Sequence, residues 1–153
     1  MSQTYPPEAS SSPPPARLSL PICEELVSRA VELFQTGMDC QEAVMRTFEE
    51  VLCLGLMEDF GPVPHRRGGL AASSICGSLV GATSVLLATL AEGDDRSANL
   101  TLELLRTFRE RYGSIACQNL TRSMGPSDYH AFCAQYVSTA VEGLYEILER
   151  NLS

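Results

Sequence analysis

Residues 70–91 contain no charged side chain, and no other stretch of this 153-residue chain constrains its fold as strongly. A run of that length is long enough to cross a bilayer. Ser73, Ser74, Ser78, Thr83, Ser84 and Thr89 interrupt it, and neither end carries the aromatic residues that mark a membrane interface. The reading favoured is therefore a central helix, buried on all sides by other helices, and a membrane location is not expected. Near the head of the run stands Cys76-Gly77-Ser78-Leu79-Val80-Gly81. The two glycines fall four residues apart on one side of a helix, where they let a second backbone or a bulky cofactor come close.

The neighbouring segments supply the helices that would bury it. Pro21 is a good first helical residue, Glu24 and Glu25 suit a helix start, and Ile22, Leu26, Ala30, Leu33 and Phe34 recur at helical spacing before Gly37. Asp39 followed by Glu42 resembles a capping box, so a second helix begins at Cys40, with Cys40, Val44, Phe48 and Val51 on its core face. Cys53 lies about 220° round from Cys40 and leaves that face. Asp94 and Asp95 open a helix with Leu100, Leu104, Phe108 and Tyr112 inward, closed by Gly113. Cys117 starts a short element, and Ser127 caps a last helix whose stripe is Tyr129, Cys133, Tyr136, Val137, Ala140, Leu144 and Leu148. The fold class is all-α: a single bundle of about five helices around the central one. Residues 1–19, rich in Pro and Ser, read as a disordered tail to a helical domain over 20–153.

Composition narrows the function classes. The net charge is −8, all 11 basic residues are arginine and Trp is absent, so nucleic acid is not an expected partner. The start of the sequence has no charged head followed by an apolar export segment, which makes the cytoplasm the expected compartment. There, six cysteines point to metal binding or redox chemistry before structural disulfides. With no CxxC or CxxCH in the chain, any site is assembled by the fold. Cys40, Cys76 and Cys133 fall on core faces or element starts, and Cys117 begins an element beside the last helix. A thiol at a helix start also has its pKa lowered, as a ligand or nucleophile requires. Cys23 reads as an ordinary half-buried thiol. His65-Arg66-Arg67, the one basic cluster, reads as a solvated loop or an anion or partner contact, and His130 as a surface residue.

These segments resemble the four-cysteine redox-active protein family C_GCAxxG_C_C, with its CGAxxG motif, over roughly residues 30–148. Gly37-Met38-Asp39-Cys40-Gln41-Glu42-Ala43-Val44 is similar to its first-cysteine segment and Cys76 to Gly81 to its central motif. Tyr112-Gly113-Ser114-Ile115-Ala116-Cys117 and Cys133-Ala134-Gln135-Tyr136-Val137 are similar to the third and fourth. Ser78 stands where the motif has alanine, and the glycine-rich approach to it is the longer Gly61 to Gly69 segment. The resemblance implies a helical domain whose Cys40, Cys76, Cys117 and Cys133 form a redox-active or metal-binding centre.

Three chemistries use those four residues. An iron–sulfur cluster, [2Fe–2S] in the first instance, would take all four as thiolates, with Gly77 and Gly81 leaving room for it and the chain acting in electron transfer. Thiol–disulfide chemistry would use Cys76, resolved by Cys117 or Cys133. A structural zinc would use the same ligands without redox activity. A helical interaction module, with the cysteines as core residues and no cofactor, is the reading from another class. The redox partner and any substrate are not legible, and small-residue faces on the central helix suit a homodimer.

Overall fold

A computed structural model describes residues 20–56 and 75–152. The Pro/Ser-rich segment 1–19 and the His65-Arg66-Arg67 loop lie outside the described residues. Six α-helices follow in order: α1 (Cys23–Gln35), α2 (Cys40–Leu52), α3 (Gly77–Thr89), α4 (Ser97–Tyr112), the single turn α5 (Cys117–Leu120) and α6 (Tyr129–Leu152). A 3-10 turn over Pro126–Asp128 leads into α6. The all-α bundle expected from the sequence is the fold observed.

Local sequence accounts for most boundaries. The Asp39 side chain accepts a hydrogen bond from the Glu42 amide at 2.7 Å, fixing the start of α2 at Cys40. At its other end Cys53 takes a left-handed conformation, and the Glu49 carboxylate accepts from the amides of Gly55 and Leu56 at 2.9 and 3.1 Å. Gly113 ends α4 with φ 82°, a conformation glycine adopts without steric cost. Two starts fall later than the sequence suggests. Asp94 and Asp95 belong to a turn in which Asp94 accepts from the Arg96 amide, so α4 opens at Ser97. Ser127 sits inside the 3-10 turn, so α6 opens at Tyr129.

α3 is the central element. It packs most extensively on α2 and also against α6 and α4, while α1 packs on α6 and α2. Leu79, Ala82, Val85 and Leu86 are wholly buried. Each of the three larger side chains contributes about 1.5–3 kcal/mol by leaving water. The helix is shorter than the uncharged run, because Ile75 pairs with Ala116 in an isolated antiparallel bridge and Cys76 precedes the first helical residue. It is also not enclosed throughout, since Leu87 is 49% exposed near its C-terminal end. Among the described residues no helix is long and apolar enough to cross a membrane. The expected stripes of α4 and α6 are the buried ones, with Leu100, Leu104 and Phe108 on one and Cys133, Tyr136, Val137, Ala140, Leu144 and Leu148 on the other. Ile22 and Val51 depart from theirs, each lying at a helix end where no neighbour covers it, and both are exposed.

The two motif glycines are where α2 and α3 meet. A Cβ on Gly81 would stand 2.7 Å from the Gln41 carbonyl oxygen and 3.2 Å from the Val44 Cβ. Because the nearer atom is backbone, it yields only if the helices separate. Gly81→Ala is therefore expected to lower stability in urea denaturation by about 1–3 kcal/mol, the crowding outweighing the better helix propensity of alanine. Gly143→Ala on α6 would meet only the end of the Leu104 side chain, at 3.1 Å, and is expected to cost less. Equal effects of the two substitutions would refute the close-approach account.

Candidate functional site

Four chain elements deliver four cysteines to one buried region. Cys40 is the first residue of α2, Cys76 immediately precedes α3, Cys117 opens α5, and Cys133 is one turn into α6. All four are buried and none is in a disulfide; of the other two thiols, Cys23 is half-buried and Cys53 exposed. Cys76, Cys133 and Cys117 all act electrostatically on the Cys40 thiol, so the four form one electrostatic cluster. Glu142, Glu146 and Glu24 act instead on Cys23, which lies on the α1 side facing α6.

Two backbone features bring Cys76 among its neighbours. Its amide donates to the Ile115 carbonyl at 2.7 Å, next to the Ile75–Ala116 bridge, so the turns carrying Cys76 and Cys117 lie side by side. On the α2 side, a Cβ on Gly77 would stand 2.6 Å from the Cys40 Sγ, so that sulfur lies over the residue next to Cys76. α2 thus occupies the space beside both motif glycines.

Further groups complete the site. Ser78 is wholly buried, with its Oγ 2.9 Å from the Cys76 Sγ. Tyr136 donates its phenol to the Leu120 carbonyl at 3.0 Å, tying α6 to the C-terminal end of the turn that begins with Cys117. Burial and then the nearby thiols, Cys133 first among them, raise the Tyr136 pKa, which places the ring beside the cluster. Its edge meets Tyr112 at 4.8 Å between centroids, and the Tyr112 hydroxyl is 2.6 Å from the Thr139 hydroxyl. The signals for them were faint but present: Ser78 falls two residues after a cysteine at a helix start, and Tyr136 shares the Cys133 stripe.

The electrostatics reverse one expectation. Burial pushes the Cys40 thiol well above its ordinary 9.0, and the charges of Cys76 and Asp39 push the same way. Burial also raises Cys76, although the Ser78 hydroxyl and the backbone amides of Ser78 and Leu79 pull it down. Desolvation outweighs the helix start at both positions, so each thiol is protonated near neutral pH.

The donor set matches what a [2Fe–2S] cluster takes, four cysteine sulfurs from one domain. Among the described residues no group of three or more Cys, His, Asp or Glu side chains is placed to hold a metal ion. Cys40 fills the clearance that Gly77 leaves.

The buried protons have a consequence for stability. Cys40 and Cys76 bind theirs more tightly in the native state than in the unfolded chain, so this contribution is complete below about pH 9 and is lost as pH rises through the raised native values. Under reducing conditions the unfolding free energy is expected to fall as pH rises above about 9, the unfolded-chain thiol value, toward the raised native values. Cys40→Ala is expected to flatten that decline while lowering stability at neutral pH. A decline of the same slope in the variant would show that other groups cause it.

Residues 38–147 match the model of the family described as "Putative redox-active protein (C_GCAxxG_C_C)", and the match takes in all four clustered cysteines. Neither the curated proteins nor the solved structures give a match to the chain. With well over half of the chain inside the matched segment, from α2 to most of α6, the chain belongs to the C_GCAxxG_C_C family.

Proposed function

We propose that the protein is a thiol–disulfide redox protein in which Cys76 is the exchanging thiol and Cys117 its resolving partner. The observation that carries this reading is the backbone contact that sets the turns of Cys76 and Cys117 side by side, in a region where Cys40 and Cys133 are also buried. The backbone contact from Cys76 to Ile115, two residues before Cys117, supports Cys117 over Cys133 as the resolving partner.

The chemistry is an exchange with a disulfide, small or carried by a protein. Cys76, as thiolate, attacks one partner sulfur; a mixed disulfide forms, the partner's S–S bond breaks, and the departing sulfur takes up the proton that Cys76 gave up. Cys117 then attacks the Cys76 sulfur, the internal disulfide forms, and the second partner sulfur leaves with the Cys117 proton. Two thiols of the protein are oxidised and one partner disulfide is reduced to two thiols. The reverse sequence delivers two electrons from a reduced partner to the centre. Burial makes the first step slow for an unassisted thiol, so the amides of Ser78 and Leu79 and the Ser78 hydroxyl, which favour the thiolate, belong to the working site.

A [2Fe–2S] centre for electron transfer on Cys40, Cys76, Cys117 and Cys133 is a second reading, favoured by the donor set alone. One experiment separates the two. Protein purified anaerobically is assayed for iron, sulfide and visible absorption, then its thiols are counted before and after treatment with a disulfide oxidant. Exchange predicts that the count falls by about two per chain, with Cys76 and Cys117 linked in the mapped peptides. An unchanged count rejects exchange, and stoichiometric iron and sulfide with charge-transfer bands assign the thiols to a cluster instead.

A further inference from the structure

The Ser78 hydroxyl is wholly buried, and the atom it meets is the Cys76 sulfur at 2.9 Å. A buried hydroxyl left without a partner costs roughly 1–3 kcal/mol, so the contact is a structural requirement as well as an available interaction. Helix capping does not explain it, since Cys76 precedes α3 and makes no side-chain capping bond. In the neutral pair either group can donate. Once Cys76 gives up its proton only Ser78 can, and a hydrogen bond to a charged sulfur is the stronger of the two.

We propose that Ser78 is a positioning residue that makes Cys76 the attacking thiol of the cluster and favours its reduced form. This rests on the exchange reading and names the group that regulates the same site. While Cys76 is a thiol or thiolate, its sulfur is an acceptor for the Ser78 hydroxyl. When that sulfur enters a disulfide it becomes a poor acceptor, and the wholly buried hydroxyl loses the partner it meets at 2.9 Å. Oxidation thus carries the cost of an orphaned hydroxyl that reduction restores. The rate of attack and the equilibrium are governed by one contact, in a direction that mere packing would not reproduce. Alanine, which the family motif has at this position, removes the oxygen and leaves the helix intact, so Ser78→Ala isolates the effect.

The test uses the full chain, reduced and kept anaerobic, with two measurements on the wild type, Ser78→Ala and Ser78→Gly. The first is the alkylation rate of the Cys76-containing peptide, followed by mass spectrometry at fixed pH. The second is the oxidised fraction of Cys76 across glutathione buffers of graded ratio. Loss of the hydroxyl is expected to slow alkylation about threefold to tenfold, and to shift the glutathione equilibrium by a similar factor toward the disulfide. Both variants should move alike, because neither has the oxygen. Faster alkylation in Ser78→Ala would mean that the serine only fills space over a thiol, and an unchanged rate or equilibrium would equally overturn the proposal. If wild-type Cys76 forms no disulfide in any buffer, the exchange reading fails by itself. The alkylation measurement then still decides whether Ser78 governs the reactivity of the sulfur.

Discussion

The contact between α2 and α3 at Gly77 and Gly81 sets the geometry on which the cysteine cluster depends. At Gly81 the Gln41 carbonyl occupies the place a side chain would take, and at Gly77 the Cys40 sulfur does. Bringing two helices this close lets the first residue of α2 and the residue preceding α3 share one buried region, from positions thirty-six apart in sequence (76 − 40). Other packing follows from it. α6 lies against both helices and brings Cys133, while α4 closes the remaining side of α3 with Leu100, Leu104 and Phe108. Peripheral ion pairs such as Arg150 with Glu103, between α6 and α4, join elements that the apolar core has already placed.

Burial and helix polarity compete for control of the thiols. A helix start favours a thiolate, but an apolar surrounding opposes any charge, and at Cys40 and Cys76 the second effect is larger. The result is that both thiols hold their protons more tightly than in the unfolded chain, with local donors partly offsetting the effect at Cys76. Selectivity among the four then arises from what touches each sulfur. Cys76 has a buried hydroxyl beside it, whereas Cys40 faces helix backbone and the Asp39 charge.

Periodicity made much of the architecture legible. The stripe from Leu26 to Phe34, the Leu100, Leu104 and Phe108 series and the long face of α6 each reflect local amphipathicity that tertiary packing reinforces. Asp39 with Glu42 located the start of α2 to the residue, because a capping bond is a contact between near neighbours. Contacts between distant segments were not legible. The uncharged run gives no sign that a bridge to Ala116 stops it short of being one continuous helix, and no pattern in α6 announces that Tyr136 reaches the Leu120 carbonyl. The same limit applies to the site. Motif residues identified the four cysteines, but hydroxyl, carbonyl and desolvation effects arise only when the elements meet.

The Ile75–Ala116 bridge also bears on how such a chain comes to its native state. It joins segments about forty residues apart, and closing a loop of that length has an entropic cost that local helix formation does not share. The helices form early and the turns holding Cys76 and Cys117 come together afterwards. Until they do, six thiols are available to any oxidant and nothing enforces the native neighbours. A disulfide made in that interval between thiols that the fold keeps apart would oppose closure of the bridge.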